Sequence, residues 1–176
     1  TVSKLVSSVA IFKEIERLRP DLAHELQENF YFDTRAQNPN EKKSQSVPVF
    51  IKHDGLVSAL YKRQYIETAQ RFSDVPKLTT KQIEALDMVD SLCNDAEFCF
   101  DIKLKPGDME IANNATTFHS RDNYNDYDHI NKRRCMLRLW LSLYDGRPLP
   151  DAYEDTREWA ATFQRRKEIK NFIKAV

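Results

Sequence analysis

A mainly β protein with helices added outside its core is what the sequence predicts, on three observations. Phe98, Phe100, Ile102 and Leu104 alternate with polar residues, as a half-buried strand requires. Residues 134–144 form the clearest strand pattern of the chain. His53-Asp54-Gly55 lies between two apolar runs, 47–52 and 56–62, and an Asp-Gly pair in that position signals a tight hairpin.

The remaining elements follow in order. Val9, Phe12, Ile15 and Leu18 keep a helical spacing that Pro20 stops, and Leu22 and Leu26 mark a second short helix over 21–28. Phe30-Tyr31-Phe32 reads as an aromatic strand, and the polar stretch 34–46 as an exposed loop. Residues 65–72 suit a short helix. Thr79 and Gln82 form a capping box opening another, along which Ile83, Leu86, Val89 and Cys93 recur. After the Pro106-Gly107-Asp108 turn, a strand is expected from Met109 to Ala112, with Phe118-His119 continuing it or closing it. Residues 122–132 read as a polar loop, and 155–174 as a charged helix whose Trp159, Phe163, Ile169 and Phe172 could pack on the core or on a second subunit of a homo-oligomer.

Composition removes several functions. The chain has 176 residues, the size of one domain with a tail, and 41% of them are hydrophobic, enough for a core. Basic and acidic residues both number 27, so there is no surplus of positive charge for non-specific binding of nucleic acid. Apolar runs are too short to span a membrane, and the first residues lack a signal-peptide pattern. Three glycines cannot build a Rossmann fingerprint or a phosphate loop. Cys93, Cys99 and Cys135 form no C-x-x-C pair, which fits reduced thiols and a cytoplasmic setting.

Chemistry concentrates late in the chain. On a strand over 134–143, Leu137, Leu139, Leu141 and Leu143 share one face, while Arg134, Met136, Arg138 and Trp140 share the other. Arg134 and Arg138 would stand about 13 Å apart, at about 3.3 Å per residue, suited to two ends of one site. Two readings are open: a wet face, or guanidinium groups meeting an anion in a strand-walled interior. His119 is either a structural histidine or a ligand.

The run from Pro106-Gly107-Asp108 through Asn113-Asn114 to His119-Ser120-Arg121, followed by Arg133-Arg134 and Leu137-Arg138-Leu139-Trp140-Leu141, resembles the taurine/2,4-dichlorophenoxyacetate dioxygenase family. Arg19-Pro20-Asp21-Leu22, Phe30-Tyr31-Phe32-Asp33, Val47-Pro48-Val49-Phe50 and 61–66 are similar to its earlier parts. The resemblance implies a double-stranded β-helix (jelly-roll) core, incomplete in this chain. Residues 1–150 would be the C-terminal portion of the oxygenase domain and 151–176 a helical extension. It implies Fe(II) and 2-oxoglutarate as cofactor and co-substrate, with dioxygen and a small anionic or amino-acid-like substrate to be hydroxylated, releasing succinate and CO2.

Carried over by residue, His119 would be the distal iron ligand and Arg134 would hold the far carboxylate of 2-oxoglutarate. Arg138 would sit beside it, facing the co-substrate or an acidic substrate, and Arg63 is a second candidate for substrate contact. The family's other two ligands form a His-x-Asp motif, and this sequence has none: His53-Asp54 is adjacent, His24 lies in a helix and His129 in the polar loop. The expectation is that the 176 residues are the C-terminal portion of a longer polypeptide. The alternative is a non-catalytic jelly-roll module that binds carboxylates without a full metal triad.

Overall fold

The computed structural model describes residues 2–36 and 42–175. Helix and strand are mixed, and helix covers more of the chain. Strand β1 (Ser3–Ser7) leads directly into α1 (Ser8–Leu18), where Ser7 caps the helix by accepting a hydrogen bond from the Ala10 amide at 3.3 Å. Ile11, Phe12 and Ile15 fall on one face of α1 and are fully buried, whereas Leu18 is exposed. Pro20 occupies the first turn of α2 (Pro20–Glu25), where its missing N–H costs nothing.

Three small antiparallel sheets follow from the remaining strands. β2 (Asn29–Asp33) pairs with β3 (Ser44–Pro48), so the stretch expected to be loop up to residue 46 ends in a strand. Alternation explains the pairing: Phe30 faces the buried Val47 in register. Residues 37–41 of the expected loop lie outside the described residues. β4 (Phe50–His53) and β5 (Leu56–Ala59) make the expected hairpin, with Asp54 and Gly55 both at positive φ, 49° and 72°. The third sheet has β1 at its centre, with β6 (Cys99–Ile102) on one side and β7 (Thr117–Arg121) on the other.

Between hairpin and third sheet lie α3 (Arg63–Ala69) and α4 (Thr80–Cys93). Thr79 and Gln82 form the expected capping box, each side chain serving the other's backbone at 3.1 Å. The buried face of α4 is Ala85, Leu86 and Val89, while Ile83 is largely exposed. One apolar core joins α1, α2, the hairpin, α4, Leu149 and Tyr153; Phe12 and Phe50 meet in it with ring centroids 5.0 Å apart. The last helix, α5 (Ala160–Ala175), is preceded by Trp159, which stacks on Tyr153 at 5.8 Å. Trp159 and Phe163 pack on the chain's own core, and Phe172 is exposed.

Two expected strands do not form. Residues 109–112 have no ladder partner, and Met109 and Ile111 are each 82% exposed. Residues 134–143, the strongest strand pattern in the sequence, lie outside any sheet, and Leu137 is 91% exposed. Alternation is only half of what a strand needs; the other half is a neighbour to take its N–H and C=O groups, and no described strand lies beside this one. The three sheets are therefore small antiparallel sheets among helices, in place of the mainly β architecture expected.

Candidate functional site

His119 sits in the middle of β7, opposite Leu5 of β1, and its neighbours fix where it faces. Phe118 turns inward, its ring 6.0 Å from Phe50 and 5.6 Å from Tyr61. Because consecutive side chains on a strand point to opposite faces, His119 turns outward. Enough protein surrounds its imidazole to draw its pKa below the usual histidine range, desolvation being the largest cause. The positive charge of Arg138 lowers it further, Glu110 pulls the other way, and Lys62 adds to Arg138.

The charge of Arg138 thus acts on the His119 imidazole, although the segment that carries Arg138 is not a strand. Arg138 and Lys62 have no carboxylate partner among the described residues; the Lys62 ammonium lies over the Tyr65 ring at 4.6 Å.

Arg134 is held at a different point. Its guanidinium lies 5.5 Å from the centre of the Tyr124 ring, which Arg121 approaches at 4.7 Å. Its backbone N–H donates to the Asp126 carboxylate at 2.8 Å. The polar loop after β7 therefore folds back so that one tyrosine links the strand carrying His119 to Arg134.

Arg63, the other basic candidate, is engaged elsewhere. It opens α3 and pairs with Glu67 at 2.7 Å, Asp87 at 2.8 Å and Asp90 at 3.3 Å, two of these carboxylates belonging to α4. Each of its three guanidinium nitrogens meets a carboxylate, which ties two helices together. The sequence offered one signal of this: Arg63 and Glu67 stand four apart, the spacing of a helical ion pair. Nothing local marked Asp87 or Asp90 as partners.

Metal binding needs more than the described residues gather. An iron of the expected kind takes two imidazoles and a carboxylate. Among the described residues no three His, Cys, Asp or Glu side chains lie close enough to hold a metal ion. His119 alone does not fit such an ion. A groove of about 610 Å³ runs past the third sheet, lined by Leu5, Val9, Phe98, Phe100 and Thr116 among others, and it includes none of His119, Arg134 and Arg138. No helix among the described residues is long and apolar enough to cross a membrane.

Residues 2–140 match the sequence profile of a family described as "Taurine catabolism dioxygenase TauD, TfdA family". Among curated proteins, the chain is similar to FR-33289 synthase of Streptomyces rubellomurinus (strain ATCC 31215), 27% identical over 164 residues, covering 88% of this chain and 46% of that protein. It is also similar to the taurine hydroxylase-like protein SAT17 of Stachybotrys chartarum (strain CBS 109288 / IBT 7711). There the identity is 29% over 138 residues, covering 77% of this chain and 34% of that protein. The chain spans less than half the length of either relative.

Proposed function

The chain belongs to the taurine catabolism dioxygenase TauD, TfdA family, and on that premise we propose that it forms part of an Fe(II)- and 2-oxoglutarate-dependent hydroxylase. The overall reaction would insert one atom of dioxygen into a C–H bond of a small anionic or amino-acid-like substrate. The other atom goes to 2-oxoglutarate, which leaves as succinate and CO2. The observation that supports this best is the family match over residues 2–140, a span that holds His119, Arg134 and Arg138 together.

In this reading His119 supplies one of three metal ligands, and the other two lie outside the described residues. Arg134 binds the distal carboxylate of 2-oxoglutarate, for which its planar fork of donors is suited. Tyr124 lies at 5.5 Å from that guanidinium and orients it. Arg138, whose charge acts on His119, faces the co-substrate or the acidic substrate in this reading. Residues 1–150 belong to the jelly-roll domain and 151–176 extend it. The exposed Leu137, Leu139 and Leu141 are accounted for as strand residues that a jelly-roll neighbour would cover.

The test is spectroscopic and uses the full-length protein. With Fe(II) and 2-oxoglutarate in the absence of oxygen, a weak visible charge-transfer band is expected, and His119→Ala should abolish it along with iron retention. Absence of the band in the full-length protein overturns the reading. Binding of 2-oxoglutarate that ignores iron, without turnover, would instead support a carboxylate-binding module.

A further inference from the structure

The segment 134–143 carries Arg134 and Arg138, and its own pattern fixes its register only weakly. Met136 and Trp140 alternate with the two arginines, and leucines fill the other positions, so both faces are apolar in part. A slip of one residue would exchange the faces at little cost in burial and turn both arginines the wrong way. Among the described residues no strand pairs with this segment, and Leu137 and Leu139 are 91% and 83% exposed. Its placement is therefore decided at its ends.

At the first end, the Arg134 N–H donates to Asp126 at 2.8 Å, and the Arg133 guanidinium donates to the carbonyls of Tyr127 and Asp128, each at 3.1 Å. At the far end the holder is α5. Arg166 donates through Nε to the carbonyl of Leu143 and through Nη1 to the carbonyl of Arg147, both at 3.1 Å. One turn earlier on the helix, the Thr162 hydroxyl shares a hydrogen bond with that of Ser142 at 3.2 Å. The clasped turn is tied onward to the core. Arg147 donates to the carbonyl of Val57 at 2.8 Å and to the buried hydroxyl of Ser58 at 3.2 Å, both on β5. Gly146 leaves the room this needs, because a Cβ there would stand 2.6 Å from the Arg166 guanidinium.

We propose that Arg166 is a positioning residue: by clasping the Leu143 and Arg147 carbonyls it sets the register of 134–143, and with it the side that Arg134 presents to 2-oxoglutarate. The inference rests on the reading that Arg134 binds the co-substrate, and it gives α5 a part in that site. With both ends held, the number of residues between them is fixed, and so is the side each arginine faces. Releasing one end frees the register. A guanidinium suits the task because its rigid fork of donors spans two carbonyls at once.

The experiment uses full-length protein and two readouts. Hydrogen exchange read by peptide mass spectrometry should be faster over 134–147 in Arg166→Ala than in wild type, with α4 unchanged. Calorimetric titration with 2-oxoglutarate should show about tenfold weaker binding in Arg166→Ala, the size expected from losing two hydrogen bonds that hold the segment. Arg165→Ala, on the same helix, should match wild type in both. Gly146→Ala should reproduce both effects by displacing the guanidinium, and it carries the test if Arg166→Ala does not fold. Adding Gly146→Ala to Arg166→Ala should change little further, because both act through one contact. Unchanged exchange, unchanged co-substrate binding or additive effects overturn the proposal. Responses to Arg166→Ala in a protein whose wild type lacks the anaerobic charge-transfer band would leave the clasp standing and sink the proposed chemistry. The band in wild type, with exchange and binding that ignore Arg166→Ala, would do the reverse.

Discussion

The hydroxyl of Tyr61 donates a 2.6 Å hydrogen bond to the carboxylate of Asp90, which ties the chain ahead of α3 to the C-terminal half of α4. The same carboxylate receives Arg63, so one aspartate anchors two residues, 61 and 63, of the segment that leads into α3. Burial pushes the Tyr61 phenol well above its usual range, with the hydrogen bond to Asp90 as the next cause and the charge of Asp90 after it. The phenol therefore stays protonated, and a donor, at neutral pH.

Removing that hydroxyl should loosen the segment without emptying the core. Tyr61→Phe keeps the ring against Phe118 and loses one hydrogen bond to a charged, partly exposed acceptor, a cost of about 1–2 kcal/mol. Urea denaturation should show a lower midpoint with an unchanged slope. An unaltered midpoint would mean the bond contributes nothing net.

Thiol reactivity gives a check on the end of α4. The thiolate is the species that attacks an alkylating agent, and burial pushes the Cys93 thiol up to about 12, with Asp90 and Cys99 adding to it. Cys99 is raised in the same direction, by desolvation first and then by its contact with Asp101. Cys135 is exposed. Because the two shifts are upward, Cys93 and Cys99 stay protonated at pH 8 and react only as pH rises toward their folded values. Iodoacetamide at pH 8 should therefore modify Cys135 first, as peptide mass mapping would show. Early labelling of Cys93 would contradict the described end of α4.

How much of this was legible in the sequence depends on whether a signal was local. The Asp54-Gly55 hairpin, the Thr79–Gln82 capping box and the stop at Pro20 each depend on residues a few positions apart, and all three are present. Strand β1 carries no such local signal, because its five residues run straight into a helix without a turn residue between them. The strand expected over 134–143 failed for the opposite reason. Its pattern is strong, but pairing is a property of two segments, and periodicity describes only one. Arg63 shows the same limit at the candidate site. Its type suggested an anion, and the anions it meets are Glu67, Asp87 and Asp90 of the protein itself. For His119 and Arg134 the informative signal was the family resemblance, because a lone histidine and a lone arginine carry no chemistry by spacing alone.

If Arg134 grips a carboxylate with both arms of its fork, charge alone should not replace it. Arg134→Lys keeps the charge and loses the bidentate geometry, and Arg134→Ala loses both. In the full-length protein the KM for 2-oxoglutarate should rise about tenfold or more in Arg134→Lys and further in Arg134→Ala, since each lost charge-assisted bond costs about 1.5–3 kcal/mol. The Tyr124 contact supplies a control. Tyr124→Phe retains a ring for Arg134 to lie against and should change KM little, whereas Tyr124→Ala should raise it. A KM that ignores Arg134→Ala removes this arginine from the site.

Tyr153 separates packing from hydrogen bonding at one position. Its side chain is fully buried, and its ring lies nearly parallel to Trp159, at 5°. Its hydroxyl is buried without a hydrogen-bond partner among the described residues. Burial holds the phenol above its usual range, so the group stays neutral and pays for its desolvation with no bond in return. Deleting only the oxygen should then be neutral or stabilising, by up to about 1 kcal/mol, because no partner is left behind unpaired. Deleting the ring should cost about 3–5 kcal/mol, since it opens a cavity where Trp159 and Leu149 meet the core. Denaturation of Tyr153→Phe and Tyr153→Ala therefore gives opposite signs relative to wild type. A clear loss of stability in Tyr153→Phe would show that the hydroxyl has a partner after all, and would move the junction between the core and α5 from pure packing to a polar contact.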